Sequence, residues 1–209
     1  LLESFGQLRL DSSDLLLHFG LVLLVRRLVR IARLYVLEDL RLARLRFLDL
    51  GTGTGRMLEI FGTRASRAVG FDISPDMLTI ARAKLDELAA ENCQVRQGDC
   101  ANVPLEDNVA DIVILHQVLH FLDDPQRAVN EAARITRPSG FVLIADFGPH
   151  EMEDLRNEHA HRRLGFADDE MSHMLRAAGL TAAASDILTA QNAPLTVAMW
   201  QAEKTERNA

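Results

Sequence analysis

The stretch Asp49-Leu50-Gly51-Thr52-Gly53-Thr54-Gly55 sets three glycines at alternate positions behind an acidic residue, between the apolar pair Phe47-Leu48 and a run carrying Met57, Leu58 and Phe61. Glycines there permit a tight turn and let bare backbone approach a ligand, as a strand-to-helix binding loop requires. A loop for a nicotinamide dinucleotide follows Gly-x-Gly-x-x-Gly. Here the third residue after Gly53 is Arg56, and the third glycine arrives one position early. The spacing therefore favours a ligand without pyrophosphate, with the N-terminus of the following helix and Arg56 facing a carboxylate. Asp72 closes the run Val69-Gly70-Phe71-Asp72-Ile73, where a carboxylate can accept from both hydroxyls of a ribose. Asp99, in Gln97-Gly98-Asp99-Cys100, is placed to accept from the amine of an adenine against which Ile73 packs. Three acidic positions after successive strands point together to one ligand across the carboxyl ends of a sheet.

Histidines form the second constellation. His116 and His120 are four apart and share a face if the chain turns helical there. His159 and His161 are two apart and would diverge on a helix, while His150 precedes them after the fifth strand. A neutral imidazole with a pKa near 6.5 can serve as a base, and the candidates are His116, His120 and His161 in that order. No ligand triad is fixed by spacing, and no metal site is expected.

These residues need a scaffold, and from Phe47 onward apolar runs alternate with helical stretches, the pattern of parallel strands joined by crossover helices. Strands are expected at 46–50, 67–73, 93–98, 109–115 and 140–147. Ser74-Pro75 caps and opens a helix with Leu78, Ala81, Leu85 and Leu88 on one face. A second helix is expected over about 125–137, burying Val129, Ala132 and Ile135 and ending at Pro138-Ser139-Gly140, and a third from Asp168 to Ala178. Two final runs, 181–188 and 194–202, joined by a turn with Asn192 and Pro194, should pair antiparallel. The expected fold class is α/β: a Rossmann-like seven-stranded sheet, mostly parallel with an antiparallel C-terminal hairpin, and helices on both faces.

Four stretches now carry a resemblance: Phe47-Leu-Asp-Leu-Gly-Thr-Gly-Thr-Gly-Arg56, Gly70-Phe-Asp-Ile-Ser-Pro75, Gln97-Gly-Asp99 and Asp111-Ile-Val-Ile-Leu-His-Gln-Val-Leu-His120. Over about residues 46–202 the chain resembles class I S-adenosylmethionine-dependent methyltransferases of the ubiquinone and menaquinone biosynthesis type. Asp146-Phe-Gly-Pro-His-Glu151 and Glu158-His-Ala-His-Arg-Arg-Leu-Gly-Phe166 resemble, more narrowly, methyltransferase domains that sit behind an arsenic-repressor-type winged helix. The resemblance implies S-adenosylmethionine as cofactor. It implies Asp49, Gly51, Thr52, Gly53, Gly55, Arg56, Asp72, Ile73, Met77, Asp99, Cys100 and His116 as cofactor-side positions, and a small organic acceptor as partner. His116 would then border the transferable methyl and His120 reach the substrate pocket. The segment from Phe147 to Phe166, with His159, His161, Arg162 and Arg163, is expected over the methyl end of the cofactor.

At 209 residues, 48% hydrophobic and 25% charged, the chain can bury one substantial core. The net charge of −7 hides an asymmetry, since residues 1–46 hold eight arginines, five acidic residues and no lysine. The remainder is strongly acidic and a poor match for nucleic acid. Two cysteines, Cys93 and Cys100, are too few for a disulfide framework and suit a reducing cytoplasm. Leu15 to Val25 is apolar apart from His18 and falls short of the roughly 20 residues that span a bilayer. Without a basic lead-in or a cleavage site it does not read as a signal peptide. Residues 1–45, with Leu24, Leu28, Ile31 and Tyr35 at helical spacing, read as a helical segment that either covers the core or is the remnant of an upstream domain, and the start at Leu1 leaves room for one. Residues 46–209 form the methyltransferase-like domain. His116-Gln117-Val118-Leu119 stands where amino-methylating DNA enzymes carry an Asp/Asn-Pro-Pro-aromatic motif and where catechol-type enzymes carry acidic metal ligands. Arsenite methylation needs several paired thiols. Two rival readings remain: an S-adenosylmethionine-sensing domain without turnover, and an NAD-dependent oxidoreductase, which the glycine spacing and terminal hairpin disfavour.

Overall fold

The structure, a computed structural model, describes residues 45–189 and 195–205. The N-terminal helical segment, and Asn192 and Pro194 of the last turn, lie outside the described residues. Among the described residues seven strands build one sheet: β1 (Arg46–Leu50), β2 (Arg67–Asp72), β3 (Cys93–Gln97), β4 (Ala110–His116), β5 (Thr136–Phe147), β6 (Thr181–Thr189) and β7 (Thr196–Glu203). Their order is β3-β2-β1-β4-β5-β7-β6. The first five run parallel, and β7 inserts antiparallel between β5 and β6. The expected mostly parallel sheet with an antiparallel C-terminal hairpin is therefore present.

The central strands read as continuous apolar runs because both their faces are buried. In β4, Val113 and Leu115 enter a core shared with Leu48, Leu50, Val129 and Trp200. Ile112 and Ile114 point oppositely, into a second core with Phe47, Met57, Leu58 and Leu143. The helices are α1 (Arg56–Ile60), α2 (Pro75–Glu87), α3 (Pro125–Ile135), α4 (Asp154–His159) and α5 (Asp168–Ala177); α4 buries no residue and the others cover these faces. Ser74 caps α2, its hydroxyl accepting from the N–H of Met77 at 3.3 Å with Pro75 in the first turn.

Three local expectations need correction. Leu88 does not join the buried face of α2: the helix ends at Glu87 and Leu88 is 49% exposed. The helix after Asp124 stops at Ile135, and the chain passes directly into β5 at Thr136. Pro138 disfavours helical backbone at Arg137, and Thr136 instead donates its hydroxyl to the Ala132 carbonyl at 2.6 Å. The stretch from His116 to His120 is also not one helical turn. β4 runs through His116, Gln117 takes φ +54°, and a separate 3-10 turn spans Leu119–Phe121.

The order of the strands reverses at β1 and β4, so their crossovers leave toward opposite faces and a crevice opens beyond their carboxyl ends. The glycine loop leaves β1 and the histidine segment leaves β4 at this point.

Candidate S-adenosylmethionine site

The loop after β1 is locked onto the end of β2. The N–H groups of Gly51 and Thr52 both donate to the Phe71 carbonyl, at 2.8 and 2.9 Å, and the Gly53 N–H donates to Asp72 Oδ2 at 2.8 Å. The other Asp72 oxygen accepts from the Ser74 N–H at 2.9 Å, so one half-buried carboxylate ties the loop to the start of α2. Gly51 sits at φ +76°, and a β-carbon there would lie 2.3 Å from Val118. Gly53 sits at φ +52°, and a β-carbon would meet no protein atom within 4 Å. The first glycine is thus required by packing, whereas the second leaves open space above the loop.

Asp49 is buried to 1% exposure. Its Oδ2 accepts from the Thr52 hydroxyl at 2.6 Å, while its Oδ1 has no partner. Burial pushes its pKa from the usual 3.8 up to about 7; the Thr52 hydrogen bond opposes the rise and the negative charge of Asp72 adds to it. A buried carboxyl with one vacant acceptor position favours a neighbouring positive charge or donor. After β2, Ile73 at 72% and Met77 at 43% are among the most exposed large apolar side chains of the described residues. Asp99 is exposed, and its Oδ1 accepts from the Ala101 N–H at 2.9 Å. Cys100 is buried, its thiol pushed up to about 11 by burial, Asp99 and Asp72. Arg56 is drawn to Glu59 at 2.5 Å on the exposed side of α1, with no contact to the loop carboxylates.

This set fits S-adenosylmethionine on structural grounds. Asp49 would offer its unpaired acceptor to an ammonium, Asp72 at the end of β2 would face the ribose hydroxyls, and Ile73 and Met77 would offer uncovered apolar area to a purine.

The histidines gather beyond β4 and β5. His116 ends β4, with Nε2 buried and unpartnered, and its pKa is held down near 4 by burial, with Asp146 opposing and His120 adding. His120 is 2% exposed, and its Nδ1 lies 2.7 Å from Asp146 Oδ1. His161 is buried and stacks 4.2 Å from His120, centroid to centroid. Its pKa is likewise held near 4 by burial and His120, against the pull of Asp146. His159, at the end of α4, is exposed and is the last of the groups that lower the His161 pKa. The 148–166 segment folds back onto this end of the sheet: the Phe166 N–H returns to the Phe147 carbonyl at 2.8 Å, and the Arg162 N–H reaches the His120 carbonyl at 2.8 Å. Among the described residues no group of three histidine, cysteine or carboxylate side chains could hold a metal ion.

Asp146 is the residue that sequence reasoning passed over, having been quoted only within a resembling stretch. One signal was available: it interrupts the apolar run Val142 to Phe147, and a charge in the interior of a two-sided strand must have partners. Phe121 and Phe147, which flank His120, carried no such signal, because aromatic residues in apolar runs are ordinary core.

The model of a methyltransferase domain family matches residues 48–144. The chain is 29% identical over 107 residues to the uncharacterized methyltransferase YcgJ of Bacillus subtilis, covering 51% of this chain and 42% of that protein. It is 27% identical over 162 residues to the ubiquinone/menaquinone biosynthesis C-methyltransferase UbiE of Campylobacter jejuni, covering 72% and 65% respectively. The crystal structure of YcgJ superimposes with a TM-score of 0.68 at 20% identity, over 79% of this chain and 94% of that one. A putative methyltransferase of Bacillus halodurans does so with 0.71 at 18% identity, over 86% and 99%. The chain spans less than half the length of the first of these curated relatives. The fold is the one these methyltransferase structures share, and residues 48–144 match the methyltransferase domain family.

Proposed function

We propose that this protein binds S-adenosylmethionine in the crevice beyond the carboxyl ends of β1 and β4 and transfers its methyl group to a small organic acceptor. The observation that carries the reading is Asp49: buried, adjoining a glycine loop, with one carboxylate oxygen left without a partner. Asp72 at the end of β2, Ile73 after it and Met77 in α2 support it, with Asp99 and Cys100 after β3 and His116 at the end of β4 as further contacts. The cofactor supplies a methyl group on a positively charged sulfur, already activated for displacement. What the protein adds is alignment of the acceptor and exclusion of water, and alignment alone can supply about 7–11 kcal/mol.

Calorimetric titration with S-adenosylmethionine tests binding, and a screen of cell metabolites with methyl-labelled cofactor tests transfer. Micromolar affinity with a labelled product is the expected result. Binding with no labelled product across the metabolite set would favour the sensing domain, and binding of NAD in its place would refute the reading.

A further inference from the structure

A buried polar assembly is left unused by the cofactor reading: Asp146, near the end of β5, with His120 and His161. Asp146 is completely buried and accepts from three donors. Its Oδ1 takes the Phe147 N–H at 2.8 Å and faces His120 Nδ1 at 2.7 Å, and its Oδ2 takes the Leu119 N–H at 3.0 Å. A carboxylate that accepts backbone N–H bonds on both oxygens makes the imidazole the donor, so Nδ1 carries the hydrogen and Nε2 the lone pair. The ring is fixed in that attitude by Phe121 at 4.0 Å, His161 at 4.2 Å and Phe147 at 5.0 Å between centroids. The peptide N–H groups of Arg162 and Arg163 clasp the His120 carbonyl, at 2.8 and 3.1 Å.

The surroundings also define what the base would meet. His161, 8% exposed, carries an Nδ1 with no partner, and the buried Nε2 atoms of His116 and His150 have none either. Burial lowers the pKa of all three rings, so they are uncharged at neutral pH. The two arginines nearest His161 on the covering loop are directed elsewhere, Arg162 to Asp123 at 3.4 Å and Arg163 to Glu170 at 2.6 Å, while Glu153 acts on His150. Aromatic faces and neutral ring nitrogens suit an uncharged aromatic acceptor better than a phosphate or carboxylate, and a base there is useful only if the acceptor atom holds a proton.

We propose that His120, positioned by Asp146, removes the proton of an aromatic hydroxyl at Nε2, which makes phenolic compounds the acceptor class. This inference rests on the methyl-transfer reading above. The acceptor's O–H bond breaks and its proton goes to His120 Nε2. The oxygen pair forms the new bond to the methyl carbon, and the carbon–sulfur bond pair returns to sulfur, which ends neutral. The imidazolium faces the Asp146 carboxylate until the proton passes to water.

A dyad that only fastens β5 to the turn after β4 would leave a bound phenol's ionisation unchanged, and the test turns on that difference. The full chain, saturated with S-adenosylhomocysteine, is titrated with 4-nitrophenol from pH 5 to 9, following the phenolate absorbance. The expected midpoint for the bound phenol is at least one pH unit below that of the free compound. Asp146→Asn and His120→Gln should each return it to the free value, with affinity for S-adenosylmethionine kept within about threefold. An unshifted midpoint in the unsubstituted protein, a shift that survives both substitutions, or no binding of 4-nitrophenol at millimolar concentration overturns the inference. Should the variants fail to fold, the midpoint of the unsubstituted protein decides alone. Failure to bind S-adenosylmethionine would instead defeat the methyl-transfer reading, so the two outcomes are distinguishable.

Discussion

Replacing Asp49 by asparagine should make the empty protein more stable at alkaline pH while weakening its hold on S-adenosylmethionine. The side chain keeps its size, and its amide oxygen can still accept from the Thr52 hydroxyl that now lies 2.6 Å from Oδ2. Lost is a buried charge. The Asp49 pKa is raised from 3.8 in a solvated chain to about 7 in the fold. Between those values the folded protein binds a proton that the unfolded chain does not, so stability falls as pH rises through this window and levels off above it. Three pH units correspond to about 4 kcal/mol at the upper limit. After allowance for a weaker Thr52 hydrogen bond, Asp49→Asn should gain roughly 2–3 kcal/mol over the unsubstituted protein at pH 8.5 and nothing at pH 4. Urea unfolding at both pH values reads the difference. Calorimetry adds the second half: positive charge at the vacant Oδ1 favours the ionised form, so cofactor affinity should rise with pH up to about 7 in the unsubstituted protein. In Asp49→Asn it should be flat and lower by roughly 1.5–3 kcal/mol. If the variant is less stable than the parent at pH 8.5, or keeps the parent's pH-dependent affinity, Asp49 is not the buried acid described here.

Asp72→Asn should cost roughly 1.5–3 kcal/mol of cofactor affinity, read by calorimetry, together with a small drop in thermal stability, because the same carboxylate accepts from the Gly53 and Ser74 N–H groups. Gly53→Ala should cost only about 1–2 kcal/mol of folding stability, for a left-handed residue whose β-carbon meets no protein atom, yet lower cofactor affinity at least tenfold. Gly51→Ala should instead lower the melting temperature sharply, because its β-carbon collides with Val118. His161→Gln should reduce acid sensitivity. With its folded pKa held near 4 against 6.5 unfolded, His161 contributes stability that is present above pH 6.5 and lost as pH falls toward 4, and denaturation curves at pH 7 and 4.5 should show the variant losing less.

The loop and its scaffold were legible in the sequence because their signals are local. Glycines at 51, 53 and 55 each take positive φ, Ser74-Pro75 caps its helix, and the apolar runs from β1 to β5 form the parallel strands that alternation with helices implied. Their chemistry follows from neighbours within a few residues, and any fold that uses them must satisfy the same backbone constraints. Helix ends were less legible where two local preferences competed, as at Thr136 and Leu88.

The histidine site could not be read in the same way. His116 and His120 were paired on a helical spacing the chain does not adopt, and what brings His120 to Asp146 is the parallel pairing of β4 with β5, which sets Leu115 against Ile144 and His116 against Ala145. His120 and Asp146, 26 positions apart in sequence, close to 2.7 Å only because α3 carries the chain back across the sheet between those two strands. His161 arrives from a third place, on a loop fastened by backbone bonds to the His120 and Phe147 carbonyls. The sequence alone determined which residue types were available and which local conformations they prefer. Whether Asp49 keeps a vacant oxygen, and which of the histidines is oriented by a carboxylate, was decided by burial and register. Both are properties of strand neighbours that are distant along the chain, and hydrophobic patterning selects which face of a strand is buried without specifying which strand lies beside it.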